Sequence, residues 1–201
     1  STLSAPKGVT LQRLDDRSIQ ASGAADTGAY TVTVNTTLTG ITGFRVEAIP
    51  YEKEKGVGPG LPENGNFVVT EFEVQAAPKA KPAELKKIAL QNPKAPFLQA
   101  GFDIALNAHG NAGNEKGWGS ANAGGVIHWA TWETKEPVGS NEGTTFKFVI
   151  HQNHNAKQHL STHVCHLQNC HACPVRCTAH FVTHDYFLPQ RRLKQSKLPA
   201  T

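Results

Sequence analysis

The run Gly60-Leu61-Pro62-Glu63-Asn64-Gly65-Asn66-Phe67-Val68-Val69-Thr70-Glu71-Phe72-Glu73-Val74 constrains this chain more than any other. Its first half is turn-forming and ends in Asn-Gly-Asn. Beyond it, Phe67, Val69, Glu71 and Glu73 alternate with Val68, Thr70, Phe72 and Val74. Both sets are rich in β-branched and aromatic side chains, which suit a pleated surface covered on its two faces. The expectation is one long, mostly buried strand over 67–74, central to a β-sandwich.

Other stretches supply its neighbours. Tyr30, Val32 and Val34 share one face of a period-two run. Residues 44–49 alternate in the same way. Phe146, Phe148 and Ile150 oppose Lys147 and Val149. Shorter strands are expected at 9–14 and 18–21, and another at 126–133. Residues 83–90 read equally well as a helix, with Leu85, Ile88 and Ala89 at i, i+3 and i+4, or as a strand. Gly 18 and Pro 12, against a hydrophobic fraction of 38%, are a loop-heavy balance that fits many short strands joined by turns. The class read from this is all-β, a jelly-roll or Greek-key sandwich.

Charge is unevenly placed. The chain carries +4 in all, of which residues 151–201 hold +5 and residues 1–150 hold −1. The basic balance therefore belongs to the tail. No aromatic residues interleave with Arg191, Arg192, Lys194 and Lys197, so nucleic acid is not an expected partner. No apolar run approaches the length of a membrane span. With Ser1 first and no methionine, the chain reads as an excised fragment or an internal domain.

Several stretches together resemble one family: residues 14–23, Tyr30-Thr31-Val32, residues 38–48, Gly58-Pro59-Gly60, residues 64–72, Gly117-Trp118, residues 128–133 and residues 144–148. It is the β-sandwich segment of large secreted proteins, typical of planctomycetes, that also carry a cytochrome c-like segment. The resemblance covers about residues 1–160. It implies a galactose-binding-like, discoidin-like jelly roll, in a periplasmic or extracellular protein of several domains whose function is unknown. The haem motif lies elsewhere in such proteins. Here Cys170-His171-Ala172-Cys173 is followed by Pro174 instead of His.

Folds of this type often hold a structural calcium in the loop before a Gly-Trp step. Where the family resembles Ala-Ile-Asp-Gly-Asn, this chain has Asn107-Ala108-His109-Gly110-Asn111. His109 stands in place of the aspartate, and imidazole suits a hard, oxygen-seeking cation poorly. Asp103, Asn107, Asn111, Asn114 and backbone carbonyls remain as donors. The alternative is an Asn/Gly loop that caps its own backbone.

Indoles are the sugar-stacking candidates: Trp118, Trp129 and Trp132. Most tryptophans in such positions pack in the core. Trp129 and Trp132 stand an odd number of residues apart, so they cannot share a strand face and one of them belongs inside. Trp118, in a Gly-rich loop, is the one expected to be exposed. The ligand set proposed from the sequence is Trp118, Asn111, His128 and Trp132. The ligand is a carbohydrate, with neighbouring domains of the same polypeptide as further partners. Glu52, Glu54, Glu71, Glu73 and Glu133 have no visible partner, and no nucleophile elbow, phosphate loop or zincin motif occurs. The expectation is a binding or spacing module that is not an enzyme. A hydrolase with scattered carboxylates is the contrary reading.

The tail, 161–201, is expected to be irregular. Residues 151–201 hold eight of the ten His and all four Cys. Cys165, Cys170, Cys173 and Cys177 can hold zinc tetrahedrally, or pair as disulfides in an oxidising compartment. A zinc-binding interaction module built on this tail is the alternative function. A third explanation is a shifted reading frame. Cys is encoded TGY and His CAY, with Y a pyrimidine. Read one nucleotide later, ahead of a C, these codons become Val or Ala and Ile or Thr. Residues 164–171 read that way allow Phe-Val-Ile-Ser-Lys-Thr-Ala-Thr, an alternating string that resembles the family's closing strand. On this reading the in-frame residues leave the sandwich one strand short.

Overall fold

The computed structural model describes residues 1–24, 27–50, 58–108, 115–121, 125–157, 159–168 and 178–180. Among them the protein is all-β, with antiparallel pairing throughout and no α-helix. One sheet has the order β1 (Thr2–Ser4), β4 (Gly28–Thr36), β12 (Thr144–Gln152), β7 (Glu71–Pro78), β8 (Lys86–Lys87). The larger sheet has the order β2 (Val9–Arg13), β3 (Ile19–Gly23), β13 (Thr162–Gln168), β5 (Ile41–Ile49), β11 (His128–Val138), β9 (Leu90–Lys94), with β14 (Thr178–His180) also paired to β13. A two-stranded piece joins β6 (Val68–Val69) to β10 (Trp118–Gly119), and a 3-10 turn covers Ile104–Ala108.

Alternation in the sequence becomes the core. Along β12, Phe146, Phe148 and Ile150 stand opposite Val34, Val32 and Tyr30 of β4 and opposite Ala76, Val74 and Phe72 of β7. Residues directly opposite in an antiparallel pair lie on one face, so the whole set points inward. The larger sheet answers with Phe44, Val46 and Ala48 of β5 and with Ala130 and Trp132 of β11, all buried. Phe44 meets Phe146 and Phe148 edge-on at 6.0 and 5.6 Å, and Phe72 lies 4.4 Å from Trp132, centre to centre. Two faces thus share one sandwich-like core, in which burying each aromatic side chain is worth about 1.5–3 kcal/mol.

One expectation is corrected, one open choice is decided, and one strand lies beyond the expected boundary. The run 67–74 is buried as foreseen, but it is two strands. β6 pairs with β10, whereas β7 pairs with β12 and β8. The exchange occurs at Thr70, whose N–H donates to the His151 carbonyl at 2.8 Å and whose Oγ1 accepts from Asn153 N at 3.2 Å. The hydroxyl takes the place of a ladder partner while the chain passes from one pairing to the next. Residues 83–90 form no helix. A helix this short is marginal on its own, and the edge of β7 offers a better partner: Lys87 and Lys86 pair with Gln75 and Ala76, and Ile88 N donates to Val74 O at 2.8 Å. Last, the larger sheet continues past the boundary expected at 160. The in-frame residues Thr162–Gln168 fill the strand position between β3 and β5.

Candidate functional site

Parity on β11 decides which aromatic residues can meet a ligand. His128, Ala130 and Trp132 stand opposite Ala48, Val46 and Phe44, facing the core, while Trp129 and Thr131 stand opposite Glu47 and Arg45, facing out. Trp132 is 1% exposed and His128 is 3% exposed, its ring held between Phe67 at 6.1 Å and Phe97 at 5.3 Å. Trp118 reverses the expectation of an exposed indole, for it is fully buried. Its backbone pairs with Val69, and its ring sits 4.8 Å from Phe67 and 6.4 Å from Trp132. The short β10–β6 bridge seats Trp118 in the core despite its glycine neighbours. Neither Trp118, Trp132 nor His128 offers a free ring face to a sugar. Asn111 lies outside the described residues.

Trp129 remains, half-buried on the outer face of the larger sheet. The Arg45 guanidinium carbon stands 4.7 Å from its ring centre, and Arg45 Nη2 pairs with Glu47 Oε1 at 2.7 Å. An indole, a guanidinium and a carboxylate from adjoining strands thus form one amphipathic patch. Thr131, beside it on β11, stands opposite Lys94 of β9 on one side and Arg45 on the other. On the far side of β5, the register sets Val164 opposite Glu47 and His166 opposite Arg45. Such a patch offers an apolar ring to C–H groups and a paired donor and acceptor to hydroxyls. Sequence reasoning saw that Trp129 and Trp132 part company but not which one faces out. The polar Arg45 and Glu47, at outward parity on the neighbouring strand, carried that signal.

A second polar group lies on the outer face of the smaller sheet. Glu71 is 1% exposed, and Lys87 Nζ donates to its Oε1 at 3.4 Å and to Glu73 Oε2 at 3.0 Å. Gln75 donates to Glu73 as well, and His151 stands directly opposite Glu71. Burial works to raise the Glu73 carboxyl, but the bonds from Gln75 and Lys87 and the nearby positive charge outweigh it and hold it below its ordinary value. Burial works to lower Lys87, and the two glutamates outweigh that and raise it. Burial depresses His151, against the pull of Glu71 and Glu73 and with the push of Lys87. A charged residue inside a strand buried on both faces was the sequence sign of this cluster.

The metal candidates do not converge among the described residues, where no group of three or more His, Cys, Asp or Glu is placed to hold an ion. Asp103 Oδ1 accepts from Ala105 N at 2.8 Å and caps the 3-10 turn, in which Asn107 also lies. Cys165 occupies the β13 position opposite Val46. Cys170, Cys173 and Cys177 lie outside the described residues. Among the described residues, no helix is long and apolar enough to cross a membrane. No family model, curated protein or solved structure matches this chain.

Proposed function

We propose that this chain is a non-catalytic binding module of a secreted multidomain protein, built as a galactose-binding-like jelly roll, and that its ligand is a carbohydrate bound at Trp129. The observation that carries the reading is the half-buried indole on the outer face of the larger sheet beside the Arg45–Glu47 pair. The resemblance given above adds the periplasmic or extracellular setting and the neighbouring domains as partners. A glycan array followed by calorimetry tests it. Trp129→Ala is expected to weaken binding tenfold or more, about 1.4 kcal/mol, with the fold intact. Wild-type affinity in Trp129→Ala, or no glycan bound at all, ends the reading, and hydrolysis of an arrayed glycan replaces it with an enzyme.

The zinc-binding module keeps one observation in its favour. The β13–β14 register sets His166 opposite His180, and the residues joining these strands include Cys170, Cys173 and Cys177. Stoichiometric zinc, lost in Cys170→Ser, is the outcome that supports it.

A further inference from the structure

We infer that Lys87 and His151 are alternative counter-ions of the buried Glu71 carboxylate, so that proton uptake by His151 releases the edge strand β8 from β7. Glu71 is almost wholly out of water, and its Oε2 has no hydrogen-bond partner among the described residues. A carboxylate in that setting needs a positive charge close by. Two basic residues flank it: Lys87 of β8, whose Nζ stands 3.4 Å from its Oε1, and His151, at the directly opposed position of the β12–β7 ladder. Lys87 brings its charge permanently. His151 brings one only when it takes up a proton.

Among the described residues, the charged groups on the elements that pair with β7 and β12 are few. β7 contributes Glu71 and Glu73, β8 contributes Lys86 and Lys87, and β12 contributes His151 and, opposite Gln75, Lys147. On β4, the residues opposite His151 and Val149 are Ala29 and Thr31. The 3-10 turn packed against β7 has no acid or base within Ile104–Ala108. Two carboxylates therefore share one ammonium while His151 is neutral.

β8 is the element free to move. It is two residues long and exposed, and the segment leading to it, 79–84, is exposed too. Its ladder to β7 covers Gln75 and Ala76, followed by the bond from Ile88 N to Val74 O. Ile88, just beyond it, packs against the core, but Lys86 and Lys87 themselves are exposed, so the Lys87 ion pairs are the side-chain tie of the strand itself. With β8 seated, the ammonium opposes a proton on His151. With β8 lifted, two carboxylates face His151 alone and favour one. Opening is thus linked to the uptake of one proton, and its equilibrium constant rises by up to about tenfold per unit fall in pH between the two His151 values.

Amide exchange in the full chain, corrected for the intrinsic pH dependence, reads this directly. Protection over residues 85–90 is expected to fall about tenfold from pH 7.5 to 5.5, while residues 144–152 keep theirs. Lys87→Met is expected to show low protection over 85–90 at both values, and His151→Gln to show no change between them. A proton-NMR titration gives a check that does not depend on His151→Gln folding, since by reciprocity the His151 pKa must be higher in Lys87→Met than in the wild type. Equal wild-type protection at both pH values, a His151→Gln variant that responds like wild type, or an unmoved His151 pKa in Lys87→Met overturns the inference.

Discussion

At the scale of single residues, position in the ladder decides more than residue type. The three tryptophans are chemically alike, yet the register makes Trp118 and Trp132 core residues and leaves Trp129 half-buried beside Arg45. Trp118→Ala is therefore expected to cost about 3–5 kcal/mol of stability, the range for a buried aromatic reduced to a methyl. Trp129→Ala is expected to cost little beyond its cation–π contact, about 0.5–1 kcal/mol. Paired denaturation curves distinguish the two, and a larger loss for Trp129→Ala contradicts the parity. The acidic cluster gives the pH dependence its sign. His151 and Glu73 are both held below their ordinary values of 6.5 and 4.5 in the folded chain. The unfolded chain thus binds protons more readily, and stability falls as pH drops below about 6.5, then again as Glu73 protonates. Lys87 is raised above 10.5, so its share is complete below that value and is lost as pH rises through the folded one. Melting temperatures across pH 4–11 are expected to show a plateau between about 6.5 and 10.5. In Lys87→Met the loss above the plateau should be reduced.

At the scale of elements, what the sequence made legible was whatever depends on local period. The strands over 30–35, 44–49 and 144–150 stand where alternation put them, because one buried face fixes side-chain parity. The break at Thr70 was not legible, since alternation continues through it and the change lies in the partners. Nor was β8, whose residues favour helix and strand equally until the edge of β7 is available. The site divides along the same line. That one of Trp129 and Trp132 belongs inside followed from their spacing, but the choice between them rests on pairing with β5, which is remote in sequence. Turn chemistry was a partial guide. Gly65 adopts φ 68°, as the Asn-Gly-Asn run suggests, but the demand on Gly60 comes from a non-local approach. A Cβ on Gly60 would stand 1.8 Å from the Asn66 carbonyl oxygen, while Gly60 also bridges to Leu160. Gly60→Ala is expected to destabilise the chain by about 3 kcal/mol, because rigid backbone must yield. A change below about 0.5 kcal/mol in a urea titration contradicts that packing.

At the scale of the whole molecule, the larger sheet owes its continuity to β13. Within it, β2 and β3 reach β5 only through that strand. The in-frame register sets His163, Cys165 and Leu167 opposite Ala48, Val46 and Phe44. On the codon argument alone, we propose that the gene is read out of frame here. Codons for residues 164–171 that spell an alternating strand one base on are the expected result. Codons that cannot do so end the idea, as does tight zinc binding by the chain. The place of β13 also bears on the order of events during synthesis. Strands β3 and β5 leave the ribosome long before residues 162–168 do. Until then each presents a bare edge, and each edge is a template for some other chain. The larger sheet cannot close while its middle is still inside the exit tunnel. Closure waits until residues 162–168 have emerged, and the nascent chain depends on whatever keeps two open edges apart from their neighbours in the meantime.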